Sequence, residues 1–405
     1  MYKISFFILF IVAKVQGTTF CNINNSSEIL TLLKKNHPAI IQNNAYLDFV
    51  KQETLTAKKR PNPELEGQTS VGESLGKVIY STSLSLKHVF ELGGKRQARI
   101  NVAERKIEVE SEESRNKNED ILIKAIIKLH RLRQLYELIS LYKEALNTFK
   151  EIRKSFVKRK YLSPEQQVEK ETLGIAISDY QLKISKLDSE KINLNRHLSF
   201  FIGKECQIPR KALPRRILEN KKIKGKEKNT YSSLAVAQKK LELAKLNYKK
   251  EKAEAFSNLL IGPSYKFQKE NVSSSHTAGI AFAINLPILN TNEGRKRQAI
   301  KRIHKAEIAF RNAKKESQID LKTWKTKYNN FIKSLKEIVS RGELEKKHHK
   351  IEALFKRGII STSLVIESHR QLLSFYAGRF EFEIGAVEAL WNIYKINGEF
   401  YNNQL

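Results

Sequence analysis

A strand-like segment that runs directly into a very long helical pattern occurs twice in this chain. The first copy is Leu84–Arg99 (LSLKHVFELGGKRQAR) and the second is Ile284–Ile300 (INLPILNTNEGRKRQAI). Both contain Lys-Arg-Gln-Ala, at residues 95–98 and 296–299, just after the glycine at position 94 or 294. A repeat with a period of roughly 200 residues is too long for a solenoid and indicates that one large unit is duplicated.

We call these two segments the strand exits. Residues that break helices are few in this chain. It has 8 prolines and 17 glycines in 405 residues, and such sparse breakers favour long uninterrupted helices. The sequence therefore predicts a mostly α protein with a small β part.

The first unit covers residues 18–203. A helix over 29–59, broken or kinked at Pro38, precedes two alternating strands at about 63–72 and 78–88. A helical hairpin over about 94–202 follows. Its first helix, to about residue 158, would be a rod of about 95 Å, and Ser163-Pro164 is the N-cap and first position of the return helix.

The second unit, residues 229–397, repeats this order. A helix to about residue 259 leads to strands at about 263–270 and 277–288, then to a hairpin over about 295–396 whose first helix is expected to run unbroken to about Phe355. The units are joined by a linker, 204–228, with ten Lys or Arg against three Glu. Residues 398–405 are read as a tail.

The N-terminus is typical of a secretory signal, predicted at residues 1–17. Lys3 precedes an apolar run, Ile4–Ala13, that is too short to span a bilayer. If the protein is exported, Cys21 and Cys206 can form a disulfide. No metal site is expected, because the nine histidines are scattered and the adjacent pair His348–His349 points in different directions.

The alternating strands leave two interpretations open. Strands of about nine or ten residues fit a tilted membrane-spanning strand, but they also fit a half-buried hairpin in a water-soluble sheet. Four strands cannot close a barrel, since about eight is the practical minimum. Three chains would supply twelve, an even number suited to an outer-membrane barrel.

Two turn sequences, KRKYLSPEQQVEKE (158–171) and KRGIISTSLVIESHRQ (356–371), follow the strand exits in the two units. With these features, the whole mature chain resembles the TolC family of outer-membrane efflux proteins. The first exit is most similar to the CzcC-like branch, which serves heavy-metal pumps. The resemblance implies a homotrimer in a Gram-negative outer membrane, with a 12-stranded barrel continued by an α-helical periplasmic barrel. It also implies a passive conduit, docked to a periplasmic adaptor and an inner-membrane pump.

The same resemblance implies functional residues at the helical turns. An acidic aperture at the periplasmic end matches Glu169 and Glu367, with Leu364 standing where a second acidic residue is often found. Three chains would give up to six carboxylates, which attract cations and repel one another. Adaptor docking would fall on the residues of the two turns, which are Tyr161, Leu162, Ser163, Ile359, Ile360 and Ser361.

Other classes of protein explain less of the sequence. The net charge of +31 suits a soluble basic coiled coil that binds nucleic acid, but alternating Lys and Glu on solvated helix faces produces the same charge. A periplasmic adaptor would have one helical hairpin and more strands. No nucleophile elbow, P-loop or dinucleotide-binding glycine pattern is found, so we expect neither an enzyme nor a cofactor. A nucleic-acid-binding coiled coil explains neither the signal segment nor the alternating strands nor the duplication, so no nucleic-acid partner is expected.

Overall fold

The structure is a computed structural model that describes residues 20–74, 76–217 and 232–403. The predicted signal segment and residues 218–228 of the predicted linker lie outside the described residues. The first unit consists of two short helices, a strand hairpin and two long helices: α1 Ser26–Asn36, α2 Pro38–Lys58, β1 Glu64–Ser74, β2 Lys77–Glu91, α3 Lys95–Val157 and α4 Pro164–Ile202.

The second unit has a similar order, with one helix before the hairpin and three after it. Its elements are α5 Ser232–Ala253, β3 Asn258–Glu270, β4 Ser273–Ile284, α6 Glu293–Glu337, α7 Arg341–Lys356 and α8 Thr362–Ile396. The helix before each hairpin packs in a similar way, because α2 lies along α3 while α5 lies along α6 and also contacts α3.

The helix boundaries of the first unit follow the sequence signals. His37 separates α1 from α2, with Pro38 at the first position of α2. Ser163 starts α4 with a capping box, in which its Oγ accepts from the N–H of Gln166 and the Gln166 side chain accepts from the N–H of Ser163. Gly203 ends α4 in the left-handed region, at φ 74°, where a Cβ would be disfavoured. The predicted break at Pro38, the predicted N-cap Ser163 and the predicted end of the hairpin near residue 202 are confirmed.

The second long rod is not continuous, and the expectation of an unbroken helix to Phe355 is wrong. The backbone becomes extended at Ile338 (ψ 157°) and α7 restarts after Ser340. Ser340 and Glu343 form a second capping box, which satisfies the first N–H groups of α7. Apolar residues continue at helical spacing on both sides of the break, and this periodicity concealed it.

The four strands form one antiparallel sheet in the order β1-β2-β3-β4, so the two hairpins meet through β2 and β3. β3 begins five residues earlier than predicted, because Leu259 pairs with Phe90 and Ile261 with His88. β4 starts and ends about four residues before its predicted bounds. At Gly262 an added Cβ would lie 1.9 Å from the carbonyl oxygen of Leu86, so this β2–β3 contact requires glycine.

The main core lies where the helices α1, α3, α4, α6 and α8 meet. It includes Leu33, Leu129, Leu198, Leu321 and Trp391, all of them buried. Beside it, α3 and α8 are joined by buried charges, since Arg133 donates to Glu383 at 2.8 Å and Gln134 donates to the carbonyl of Phe380 at 3.0 Å. Burying such a pair fixes the register of two helices more than it adds stability.

Both ends of the described chain are attached to this core. Cys21 and Cys206 form a disulfide, which joins the segment before α1 to the start of the predicted linker. At the other end, Phe400 is 1% exposed and its ring lies 5.1 Å from that of Trp391. Part of the predicted tail is thus a packed element, because an aromatic side chain there completes the core. Among the described residues, no helix has the length and apolar composition needed to cross a bilayer.

Candidate functional site: an apolar sheet face and a helical tip

The sheet has one apolar face, which the pairing register assembles from all four strands. Leu65 lies opposite Leu86, Leu84 opposite Tyr265, and Ile280 opposite Pro263. The strand alternation predicted from the sequence is therefore confirmed. Large apolar side chains on this face are exposed rather than covered, reaching 68% at Leu65, 75% at Ile280 and 73% at Phe282.

The opposite face of the sheet is mostly polar and carries serines, charged residues and small residues. Gln68 pairs with Ser83 and Ser81 with Gln268, and small residues meet where Gly262 pairs with Ala281. Within the described residues, β1 and β4 each pair with a single strand. Both edges of the sheet therefore present backbone groups that a further strand can bind.

The strand exits connect the sheet to the helical body. The predicted break at Gly94 is confirmed, and this glycine caps α3 in the left-handed region. In the second copy the left-handed cap is Asn292 (φ 62°), and Gly294 already lies inside α6. Asparagine tolerates this conformation, and the Asn292 side chain also donates to the carbonyl of Glu251 at 2.8 Å.

Arg99 strengthens the first exit. Its guanidinium contacts both oxygens of Glu91, at 2.6 and 3.2 Å, and also donates to the carbonyls of Ala57 and Lys59. One side chain thus joins the end of α2, the end of β2 and the start of α3. The equivalent position of the second copy is Ile300, so the two exits are attached differently.

The two helical turns come together at one end of the molecule. Leu162 and Ile360, one from each turn, pack against the same cluster, which includes Phe156 and Val365. Their neighbours point outward, with Tyr161 84% exposed and Ile359 63% exposed. We call this end, residues 158–163 and 357–361, the helical tip. Ser163 and Ser361 are the N-caps of α4 and α8.

Both acidic residues predicted for the aperture are hydrogen-bonded close to the helical tip. Glu169 accepts from the hydroxyl of buried Thr362 at 2.9 Å, which links α4 to α8. Glu367 makes a two-point contact with Arg370 at 2.7 and 2.8 Å and also accepts from Gln371. The hydrogen bond from Arg370 lowers the pKa of Glu367, so this carboxylate stays ionised while its charge is partly compensated.

A cluster that sequence reasoning missed lies behind the helical tip, between α7 and α8. His348, Glu352 and His369 bring their ligand-type atoms within 4.8 Å of one another. His348 and Glu352 are four residues apart on α7, a spacing visible in the sequence. His369 belongs to α8, so only tertiary packing brings it to the other two. His349, the neighbour of His348, is largely exposed.

Comparison with known proteins links the fold to outer-membrane channels. No family model and no curated protein sequence matches the chain. Among solved structures, CusC, which is described as forming a transmembrane channel, has a TM-score of 0.71 at 14% identity, over 94% of this chain and 93% of CusC. The outer-membrane channel OprN has a TM-score of 0.73 at 11% identity, over 96% and 95%.

The MtrE outer-membrane channel of Neisseria gonorrhoeae, in its open state, has a TM-score of 0.69 at 14% identity, over 93% of this chain and 89% of MtrE. These likenesses extend over nearly the whole length of each protein, so they include both the sheet and the helical body. At such low identity they establish the fold alone, and the CzcC-like branch stays a prediction. The chain has the fold of these outer-membrane channels, which is the fold that the TolC resemblance predicted.

Proposed function

We propose that the protein is the outer-membrane channel of a tripartite efflux system in a Gram-negative bacterium. Three copies pool their sheets into a 12-stranded barrel in the outer membrane. Their helices continue it as an α-helical tunnel in the periplasm. The tunnel conducts cargo passively, and metal cations or drugs are the cargo classes that the sequence resemblance favours.

The observation that carries this proposal is a sheet with an uncovered apolar face and with two edges that no other strand among the described residues pairs with. An isoleucine and a phenylalanine more than 70% exposed on one strand are unfavourable in water. In lipid the same face is favoured, provided that the edges are closed. If β1 of one copy pairs with β4 of the next, identical copies can close into a ring. The polar face then lines the lumen.

The helical tip supports the docking part of the proposal. Tyr161 and Ile359 are exposed there, beside the capping serines Ser163 and Ser361, while Leu162 and Ile360 hold the two turns on a common core. A rigid surface with exposed apolar side chains suits packing against the helices of an adaptor. Glu169 and Glu367 lie within two turns of this surface, where three copies would place six carboxylates around the tunnel.

The soluble, nucleic-acid-binding alternative explains the charge of +31 but not the apolar face. A basic coiled coil has no use for a sheet whose large apolar side chains remain in water. The channel fold of the structural neighbours is also unlike such a protein, and we do not favour this alternative.

Cell fractionation with SDS gel analysis tests the proposal. We expect the protein in purified outer membranes, running as a trimer in unheated samples and as a monomer after boiling. Release of a monomer with the soluble fractions would contradict the proposal. The gel should be repeated with a reductant, because the Cys21–Cys206 disulfide joins positions within one chain and should not influence the trimer band.

A further inference from the structure

A cavity of about 220 Å³ lies between α3, α7 and α8, behind the helical tip. Its lining is mixed: leucines and a tyrosine cover part of it, and titratable side chains cover the rest, among them Glu144 from α3, Glu345 and His348 from α7, and His369 from α8. Arg210, from the segment after α4, also reaches it. A space of this size between helices is large enough for several solvent molecules, and the conduit proposal does not use it.

Three ligand-type side chains converge beside this cavity: His348 and His369 line it, and Glu352 lies next to them. The Nε2 atom of His348 lies 3.5 Å from Glu352 Oε1, and the Nε2 atom of His369 lies 3.9 Å from the same oxygen. Ligands bound to zinc at about 2.0–2.1 Å in a tetrahedron are about 3.4 Å apart. Two of the three donor separations are thus within about half an ångström of this value, and all three donors lie within 4.8 Å of one another.

The orientation of His369 is fixed by its other nitrogen. Nδ1 lies 2.9 Å from the carbonyl oxygen of Val365, which can only accept, so Nδ1 carries the proton. The lone pair of a neutral ring is then on Nε2, which is buried and makes no hydrogen bond with any described residue. Leaving a buried polar atom unsatisfied is costly, and a ring nitrogen held in this way is typical of a metal-binding histidine.

The carboxylate is positioned in a similar manner. Thr148 on α3 donates its hydroxyl hydrogen bond to Glu352 Oε1 at 3.1 Å. A second carboxylate, Glu144, has an oxygen 3.7 Å from His348 Nε2, and it lies on the cavity side. The cluster therefore combines two imidazoles, one oriented carboxylate and a nearby negative charge. The ring of Phe149 packs edge-on against His369, with the ring centres 5.2 Å apart.

We propose that His348, Glu352 and His369 bind one divalent transition-metal cation, of which Zn²⁺ is the type, with the fourth position open to the cavity. Two imidazole nitrogens and a carboxylate oxygen form a donor set that suits zinc and its neighbours in the first transition row far better than Mg²⁺ or Ca²⁺. The bound ion would bridge α7 to α8. Nothing in this assignment depends on the conduit proposal.

The bridge has a structural consequence. α7 is a short helix, set off from α6 by the break at Ile338–Ser340 and facing α8 on one side. A metal with ligands on both helices would hold α7 in place just behind the helical tip. Metal binding and the order of α7 are then linked, because a ligand that binds only the folded arrangement stabilises it.

The test uses the full mature chain, purified and freed of metal with a chelator, and titrated with Zn²⁺ by calorimetry. We expect one site per chain with a Kd below about 10 µM. His348→Gln and Glu352→Gln should each weaken binding at least tenfold. His304→Gln, at an exposed histidine on α6, and His349→Gln, next to the site, should leave it unchanged. The unmodified protein with bound Co²⁺ should show the visible absorption of a four-coordinate site. The His348→Gln and Glu352→Gln variants should lack this absorption.

A second readout separates a site from loose surface binding. Zn²⁺ at about 100 times its Kd should slow amide exchange over residues 341–356 and raise the midpoint of thermal unfolding by a few degrees. Glu352→Gln, which keeps an acceptor for Thr148, should lose both effects while unfolding normally without metal. Equal affinity for Zn²⁺ in all four variants, or no binding below about 100 µM, would overturn the proposal and leave an adventitious ion only.

Discussion

Glu119 is a carboxyl group that the fold buries in the middle of α3. It is 2% exposed, and its nearest cationic partner, the Arg115 side chain on the same helix, is 4.0 Å away. One of its oxygens accepts no hydrogen bond from the described residues. Burial raises the pKa of Glu119 to about 7, against an ordinary value of 4.5, although Arg115 and Lys395 oppose this shift. The folded chain therefore favours the protonated form.

The replacement Glu119→Gln should stabilise the protein in alkaline solution. Between pH 4.5 and about 7 the folded state binds more protons than the unfolded state, so stability falls as the pH rises through this window. Glutamine cannot lose a proton, and we expect it to be more stable than the carboxylate by about 1–3 kcal/mol at pH 8, with little difference near pH 4.

Thermal unfolding at the two pH values measures this difference. Glu104→Gln, at an exposed position of the same helix, is the control and should shift the unfolding midpoint by the same small amount at both pH values. A gain for Glu119→Gln that is independent of pH would contradict the assigned pKa.

Helices and strands show how far local sequence signals reach. The positions of α1, α2, α3 and α4 follow from apolar periodicity, Pro38, the capping Ser163 and Gly203, all of which act over a few residues. The early start of β3 does not follow from local signals. Leu259 and Ile261 become strand residues only by pairing with Phe90 and His88 of the other unit. The cluster behind the helical tip has the same origin. Its α7 half is readable as His-x-x-x-Glu, but His369 joins it through tertiary packing.

The break before α7 has a local cause that the sequence contains. Ser340 Oγ accepts from the N–H of Glu343 at 3.3 Å, and Glu343 Oε2 accepts from the N–H of Ser340 at 3.2 Å. Ser340→Ala removes one half of this capping box and should cost about 1 kcal/mol. We expect the loss to fall on α7 itself, as faster amide exchange in its first turns.

The capping box at the start of α4 supplies the matched control. Ser163→Ala removes the equivalent acceptor at the start of α4 and should speed exchange in the first turn of α4 while leaving residues 341–356 unchanged. If Ser340→Ala leaves the exchange of α7 as it was, the capping box does not determine where this helix begins.

The whole molecule has two surfaces with opposite requirements. The helical body hides its apolar residues in cores between helices, such as the cluster around Leu129 and Trp391, and it presents charge to water. The sheet does the reverse, with its largest apolar side chains outward. A single environment cannot satisfy both, and a lipid bilayer around the sheet with water around the helices does. In the proposed channel, the stability of each copy would depend on its assembly with the others.

A pair of neighbouring substitutions on β4 separates the membrane reading from the soluble one. Ile280→Arg places a charge on the apolar face, where lipid would surround it, at a cost of about 2–4 kcal/mol in each copy near the middle of the bilayer. Ala281→Arg places the same charge on the polar face, opposite Gly262, where the lumen would solvate it. We expect Ile280→Arg to abolish the heat-sensitive trimer in outer membranes and Ala281→Arg to retain it.

A water-soluble sheet predicts the opposite order. Ile280 is 75% exposed, so arginine there would replace an apolar side chain that is already in water and would improve solubility. Ala281 is half-buried, and the larger side chain would be the more disruptive of the two. In a membrane sheet Ile280→Arg is the more damaging variant, and in a water-soluble sheet Ala281→Arg is. The result depends only on the two faces of β4 and not on the helical tip or the cluster behind it.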